Sequence, residues 1–219
     1  MCGRYTLYSD PDFLNNHFDL ENPEEAITYK PRYNIAPSQD ILAVVQGKKG
    51  QRAGFMKWGL VPSWADEPSI GYKMINARSE TIHEKPSFKH LINRRRCIVC
   101  ASGFYEWKKE GGRKQPYYIQ LPSEQPMMFA GLWDRWEKEG QTLITTTILT
   151  TEANSTMKEL HHRMPVILND GRQKHWLDVN SKDTLHKIYK ERPSSLHIHP
   201  VSMFVNSPQN EGPECIERI

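Results

Sequence analysis

The second residue of the sequence offers distinctive chemistry. Cys2 follows the initiator Met1, and a small residue at this position permits removal of Met1. The chain would then begin with a free α-amine and a thiol on adjacent carbons, and both groups titrate within about two units of neutral pH. An aldehyde can form an imine with the amine, after which the thiol closes a five-membered thiazolidine ring in an intramolecular step. From its position alone, Cys2 also fits an ordinary small residue near a chain end.

The other cysteines do not form an evident metal site. Cys97 and Cys100 have CxxC spacing, but no second pair of Cys or His ligands follows at a matching spacing. The run from Cys97 to Ala101 is typical of a buried strand, in which a thiol packs as a small apolar group. We therefore predict reduced thiols, no metal and no cofactor.

Composition and charge favour a folded chain with one more basic half. The 219 residues are 37% hydrophobic and 10% aromatic, which is too apolar for a disordered chain, and we predict a single domain over residues 1–219. Residues 1–120 hold 18 Lys and Arg against 13 Asp and Glu, whereas the remainder holds 11 against 13. This imbalance indicates a basic face, although an uneven solvated surface fits it equally. No apolar run approaches the roughly 20 residues of a membrane span, and we expect a cytoplasmic protein without membrane contact.

Short apolar or alternating runs bounded by turn residues dominate the chain, and these are typical of strands. A turn at Glu110-Gly111-Gly112 predicts a hairpin. The pattern predicts an α+β fold with a mostly antiparallel β-sheet or barrel-like core and a few flanking helices. The predicted strands are Ile41 to Val45, Arg52 to Trp58, Cys97 to Ala101, Phe104 to Lys108, Tyr117 to Leu121, Phe129 to Trp133 and Leu143 to Thr150.

Helix signals are fewer. Asp10-Pro11-Asp12 has the residue types of a capped helix start, and Ser87 before Phe88 has the same appearance. Further helices are predicted from Thr151 to Leu160, from Gly171 to Leu177 and from Asp183 to Tyr189.

Several segments together resemble one protein family, the SRAP domain, whose members process abasic sites in DNA. The matching segments occur in order along the chain, and the resemblance covers essentially all of it. They are Met1-Cys2-Gly3-Arg4-Tyr5, Arg32-Tyr33-Asn34-Ile35-Ala36-Pro37, Lys57-Trp58-Gly59-Leu60-Val61-Pro62-Ser63-Trp64, Asn76-Ala77-Arg78-Ser79-Glu80-Thr81, Gly103-Phe104-Tyr105-Glu106-Trp107, Ala130-Gly131-Leu132-Trp133 and His161-His162-Arg163-Met164-Pro165.

The resemblance implies a covalent sensor of abasic sites in single-stranded DNA. Cys2 would be the nucleophile that links to the ring-opened sugar as a thiazolidine, and Asn76, Glu106 and His161 would line the pocket for that sugar. An amide such as Asn76 suits holding the amine or a sugar hydroxyl. Glu106 is the expected proton shuttle, and His161 is expected to help open the closed sugar.

The resemblance also implies a surface for the rest of the DNA. Arg4 and Arg78 stand beside the matching motifs and would contact phosphates, while Trp58, Trp64 and Pro37 would contact bases that flank the lesion. The expected protein is a monomer that associates with the nucleoid when it is on DNA. β-Elimination from the imine would add a weak lyase activity.

Two alternatives remain open from the sequence. A cysteine peptidase would use Cys2, His161 and Glu106, with its own Met1 removal as the main reaction. A non-covalent nucleic-acid-binding or protein-binding module would leave Cys2 without a role. Only the covalent sensor predicts a protein–DNA band that survives denaturation.

Overall fold

The computed structural model describes residues 2–21, 29–180, 188, 192–193 and 195–219. Most of these residues lie in strands. The strands are β1 (Tyr5–Leu7), β2 (Arg32–Ile35), β3 (Asp40–Gln46), β4 (Gln51–Trp58), β5 (Asn76–Arg78), β6 (Arg96–Ala101), β7 (Gly103–Glu110), β8 (Arg113–Gln120), β9 (Met127–Lys138), β10 (Gln141–Glu152), β11 (Arg163–Pro165), β12 (Ile167–Leu168) and β13 (His197–Pro200).

Five of these strands close into a barrel. The ring runs β3, β4, β10, β9 and β6, and β6 returns to β3. Its neighbours are antiparallel except for β4 and β10, where Lys57 lies beside Thr145 in a parallel pair. Every residue of β6 is buried, including Cys97 and Cys100. The predicted strands and the α+β class with a mostly antiparallel, barrel-like core are therefore confirmed.

A second sheet covers one side of the barrel, in the strand order β13, β8, β7, β1 and β2. Gly111 and Gly112 form the predicted hairpin turn between β7 and β8, with φ values of 54° and 80° that favour glycine. Tyr5 on β1 packs its ring edge-on against Trp58 and Phe129 of the barrel, at centroid distances of 5.3 and 6.2 Å. Aromatic packing thus fixes β1, and with it the start of the chain, against the barrel.

Three α-helices within the described part of the chain lie outside the sheets, each with a polar cap at its start. They are α1 (Pro11–His17), α2 (Ser155–Lys158) and α3 (Asp170–Leu177), capped by Asp10, Asn154 and Asn169. Helix α3 packs onto β6, where the buried indole of Trp176 donates to the carbonyl of Cys97 at 2.7 Å. No helix within the described ranges is both long enough and apolar enough to cross a membrane.

The prediction of a helix after Ser87 is wrong. The segment forms consecutive turns instead, in which the amide of Leu91 donates to the carbonyl of Phe88 at 2.9 Å, three residues earlier. Leu91 and Ile92 still reach the core, so burial is achieved without a continuous helix. The helix predicted from Thr151 shrinks to Ser155–Lys158 because β10 extends to Glu152. The prediction for Asp183 to Tyr189 lies outside the described residues, apart from Ile188.

Candidate active site

Cys2 and Asn76 meet at the start of β1. Cys2 is fully buried, and the side-chain amide of Asn76 donates to the backbone carbonyl of Cys2 at 2.8 Å. Asn76 is held there because β5 runs parallel to β10, with Asn76 beside Ile148. Its Oδ1 atom is buried and has no hydrogen-bond partner among the described residues. A buried acceptor without a partner is ready to receive a donor such as an amine or a hydroxyl.

Glu106 approaches Cys2 from the neighbouring strand. The amide of Tyr105 on β7 donates to the carbonyl of Arg4 at 3.0 Å. Because β7 runs antiparallel to β1, the next residue on β7, Glu106, lies beside the residues that precede Arg4. Its side chain is 5% exposed. Burial raises the pKa of the Cys2 thiol well above its usual range, and the negative charge of Glu106 raises this pKa further. The thiol is therefore protonated at neutral pH.

His161 completes the group that the sequence predicted. It follows α2, and the amide of Arg163 donates to its Nδ1 atom at 3.0 Å. When Nδ1 accepts this hydrogen bond, the neutral ring carries its hydrogen on Nε2. The Nδ1 atom lies 3.9 Å from Glu106 Oε1, and the ring of His162 stacks on His161 at 4.3 Å. Cys2, Asn76, Glu106 and His161 are thus brought together from four separate segments.

An ion pair between Glu80 and Arg163 connects two of these segments. The guanidinium of Arg163 donates to the two carboxylate oxygens of Glu80 at 2.8 and 2.9 Å, and to the carbonyl of Thr150 at 2.6 Å. Burial alone would raise the pKa of Glu80, but the hydrogen bonds and charge of Arg163, together with hydrogen bonds from the backbone, lower that pKa below its ordinary value. Sequence reasoning assigned no role to either residue. The available signal was a complementary pair of charges within two of the matching motifs.

A groove of about 640 Å³ opens beside this group of residues. Its wall includes the buried carboxylate of Glu106, and the indole of Trp107 donates to Asn206 Oδ1 at 2.7 Å on the far side. The groove is lined by Arg4, Glu106, Trp107, Lys109, Lys114, His161, Met203 and Asn206. The lysines and the residues after 200 were missed from the sequence, because only the packing of β7 and β8 against the C-terminal segment brings them here.

Comparison with known proteins identifies the family of this chain. The family model described as SOS response associated peptidase (SRAP) matches residues 1–208. The chain belongs to the SRAP family. A relative from Bacillus subtilis named abasic site processing protein YoqW is 43% identical over 222 residues, which is 99% of both chains. Abasic site processing protein HMCES from Gallus gallus is 37% identical, over 87% of this chain and 67% of its own.

The fold of this SRAP domain also matches a solved structure. A crystal structure of a protein from Bacteroides thetaiotaomicron superimposes with a TM-score of 0.86 and 26% identity, over the full length of both chains. The barrel and its covering sheet are therefore an architecture that this chain shares with that protein.

In this SRAP domain, Arg4 holds the C-terminal segment. Its Nη1 atom donates to Asn34 Oδ1 at 2.6 Å and to the carbonyl of Val205 at 2.8 Å. Its guanidinium lies 5.8 Å from the ring of Trp107. Arg4 lines the groove at the same time, so its contact with phosphate stays a prediction.

The other expected DNA contacts are dispersed. Arg78 is exposed and close enough to His162 to contribute to the lowered pKa of that ring, after the larger effect of His161. Trp64 is 59% exposed and Pro37 is half-buried, and neither lines the groove. Contact of these three residues with DNA stays a prediction.

The expectation for Trp58 is corrected by the structure. Its side chain is fully buried, and its indole donates to the carbonyl of Ile75 at 2.9 Å. Its ring packs against Tyr5 and therefore has no free face for a base. Trp58 supports the segment that carries Asn76 instead of contacting DNA.

Proposed function

We propose that this protein recognises abasic sites in single-stranded DNA and links Cys2 covalently to the ring-opened sugar once Met1 is removed. The observation that carries the proposal is the convergence of Asn76 and Glu106 on Cys2, with His161 3.9 Å from Glu106. The names of the relatives, which are abasic site processing proteins, support the same substrate.

The first step is imine formation by the α-amine of Cys2. The amine adds to the C1′ aldehyde carbon, and its proton passes to the aldehyde oxygen. Loss of water from this carbinolamine then leaves the imine. The free Oδ1 of Asn76 accepts a hydrogen bond from the amine and orients it, and Glu106 carries protons between nitrogen and oxygen. His161 donates from Nε2 to the ring oxygen of the closed sugar, which opens it to the aldehyde.

The second step is ring closure by the thiol. The sulfur adds to the imine carbon, and the thiol proton reaches the imine nitrogen through Glu106, so that the net products are a thiazolidine and one water. The raised pKa of the Cys2 thiol supports this order, because a protonated thiol leaves the first attack to the amine. The intramolecular geometry then compensates for the weaker nucleophile.

The imine also has a second outcome, which we propose as a companion lyase activity. Removal of a C2′ proton and departure of the 3′ phosphate would break the strand by β-elimination. Ring closure consumes the same imine, so efficient thiazolidine formation suppresses cleavage. Glu106 is the base within reach of this region.

The cysteine peptidase alternative has less support. A peptidase needs a thiolate, which an adjacent imidazolium stabilises by lowering the thiol pKa. Here burial raises the pKa of the Cys2 thiol, and the carboxylate of Glu106 raises it further. This arrangement suits addition of a neutral thiol to an imine.

The deciding experiment is a denaturing gel. The full chain is mixed with a single-stranded oligonucleotide that contains one abasic site, and with the same oligonucleotide without the lesion. We expect a protein–DNA band only with the abasic strand, and the intact mass of the protein should show that Met1 is absent. A protein that lacks Met1 yet gives no band would contradict the proposal.

A further inference from the structure

Lys109 and Lys114 lie directly opposite each other in the β7–β8 hairpin. Opposite side chains in an antiparallel pair begin about 5 Å apart, and like charges at such positions repel. Both lysines are exposed, and neither forms an ion pair with any residue that the structure describes. The hairpin therefore holds two cations together without a carboxylate to offset them.

Lys108, the residue before Lys109, does form an ion pair. Lys108 forms an ion pair with Glu110 at 3.0 Å, and Glu110 also accepts from the hydroxyl of Tyr117 at 3.2 Å. Lys108 does not line the groove, whereas Lys109 and Lys114 both do. The two lysines without ion pairs are thus the two that face the groove beside the active site.

Distance along β7 indicates what these lysines meet. Lys109 lies three residues beyond Glu106, which corresponds to about 10 Å along an extended strand. A sugar held at Glu106 would have its reacting carbon beside that carboxylate, and the two lysines line the same groove further along the strand. A DNA strand that continues from that sugar along the groove would bring its next backbone phosphate toward the ammonium groups. The anion that belongs at this end of the groove is therefore a phosphodiester.

We propose that Lys109 and Lys114 form one phosphate-binding subsite for the DNA backbone next to the abasic sugar. The proposal rests on the proposed function and adds a location to it. A phosphate between the two ammonium groups removes their repulsion and releases counterions from the DNA. The subsite reads charge and carries no base preference, as a lesion sensor that acts in any sequence requires.

The first test measures non-covalent binding of lesion-free single-stranded DNA across a salt series. In the full chain, Lys109→Gln combined with Lys114→Gln should make the log–log salt slope shallower by about 0.7, because one phosphate contact is lost. The melting temperature should stay unchanged or rise, because a repulsive pair is removed. Lys108→Gln is the matched control, and its slope should equal that of the unchanged protein.

The second test locates the phosphate. Abasic oligonucleotides are made with a single neutral methylphosphonate at each successive position, and the crosslinking rate is measured for each. With the unchanged protein, neutralising the phosphate next to the lesion should slow the reaction. In the double variant, neutralising this phosphate should no longer slow crosslinking, because the lysines that bind it are already absent. Neutralising any other phosphate should have the same effect in both proteins.

The outcomes separate this proposal from the proposed function. An unchanged salt slope in the double variant, or an equal change in Lys108→Gln, would overturn the subsite. The subsite would also be overturned if each methylphosphonate slowed crosslinking equally in the double variant and in the unchanged protein. Absence of any covalent band with the unchanged protein would overturn the proposed function instead. The lesion-free salt series still tests the lysines in that case, because it does not depend on Cys2.

Discussion

Arg163 and Glu80 are 83 residues apart in the chain and are joined by two parallel hydrogen bonds of 2.8 and 2.9 Å. Arg163 also fixes the ring of His161 through its backbone amide, while Glu80 lies in the 3-10 turn that directly follows β5, the strand that begins at Asn76. One bidentate contact therefore couples the positions of two candidate catalytic side chains, on opposite sides of β10.

Glu80→Gln should slow formation of the DNA adduct by about 10- to 100-fold, because small displacements of reacting groups have effects of this size. The variant should also lose stability, since the buried guanidinium of Arg163 loses its carboxylate partner. The measurement is the crosslinking rate well below the melting temperature, where the variant is folded. Glu84→Gln, at an exposed position nearby, is the control. A normal rate in Glu80→Gln would show that the ion pair does not position the site.

The lowered pKa of Glu80 also predicts a pH dependence. A carboxyl with a lower pKa in the folded state stabilises the protein above its ordinary pKa, and the stabilisation is lost as the pH falls through the lowered value. Urea unfolding between pH 7 and pH 3 should therefore show a smaller loss of stability in Glu80→Gln than in the unchanged protein. Equal losses would contradict this role for the ion pair.

Cys2→Ser should abolish the stable adduct, because an oxygen nucleophile closes a much less stable ring than sulfur does. Non-covalent binding of the same DNA should survive, since Cys2 is buried and contributes no charge. A denaturing gel and a native mobility shift on the same samples measure the two properties. A normal yield of stable adduct from the variant would remove Cys2 from the mechanism.

Glu106→Gln and His161→Ala should each slow adduct formation by about 10²- to 10⁴-fold, which is the typical contribution of a positioned acid or base. Single-turnover crosslinking rates measure this effect, and circular dichroism checks that each variant is folded. His197→Ala, which changes an exposed histidine on β13, should react at the normal rate. Normal rates in both pocket variants would show that the pocket is assigned wrongly.

Arg4→Ala and Arg78→Ala should differ in their effects. Arg4 holds Asn34 and the carbonyl of Val205, so its loss should lower stability by about 1–3 kcal/mol as these buried groups lose a partner. Arg78 is exposed, and its loss should leave the melting temperature unchanged while the salt slope of DNA binding becomes shallower by about 0.7. An unchanged slope in Arg78→Ala would remove it from the DNA contacts.

Alkaline pH should destabilise the protein through its buried thiols. Burial raises the pKa of both Cys97 and Cys100 to about 12. A raised folded-state pKa gives stability that is complete below the ordinary thiol pKa of about 8.5 and is lost as the pH rises toward 12. Each thiol contributes up to about 1.4 kcal/mol per pH unit to this loss. The free energy of unfolding, measured by urea at each pH from 8 to 10, should fall less steeply with pH in Cys100→Ala than in the unchanged protein, by the equivalent of about one proton. Identical slopes in the two proteins would contradict the prediction.

The sequence by itself determined the features that depend on residues close together in the chain. Asp10 caps α1 because its carboxylate accepts from the amide of Asp12, and Gly111 and Gly112 form the hairpin because they tolerate positive φ. Alternating and apolar runs located the barrel strands, since burial in a sheet follows a period of two. The pairing of an α-amine with a thiol on adjacent carbons, which the proposed chemistry uses once Met1 is removed, likewise lies within the single residue Cys2.

The tertiary structure alone decided which side chains share a surface. Trp58 and Trp64 belong to one motif, yet Tyr5 covers the first and the second is exposed. Arg4 finds its partner Val205 at a separation of 201 residues. The segment after Ser87 forms turns that bury Leu91 and Ile92, although its residue types predicted a helix. Packing of these side chains into the core determines the backbone conformation there. These outcomes depend on contacts between distant segments, and local sequence patterns contain no information about them.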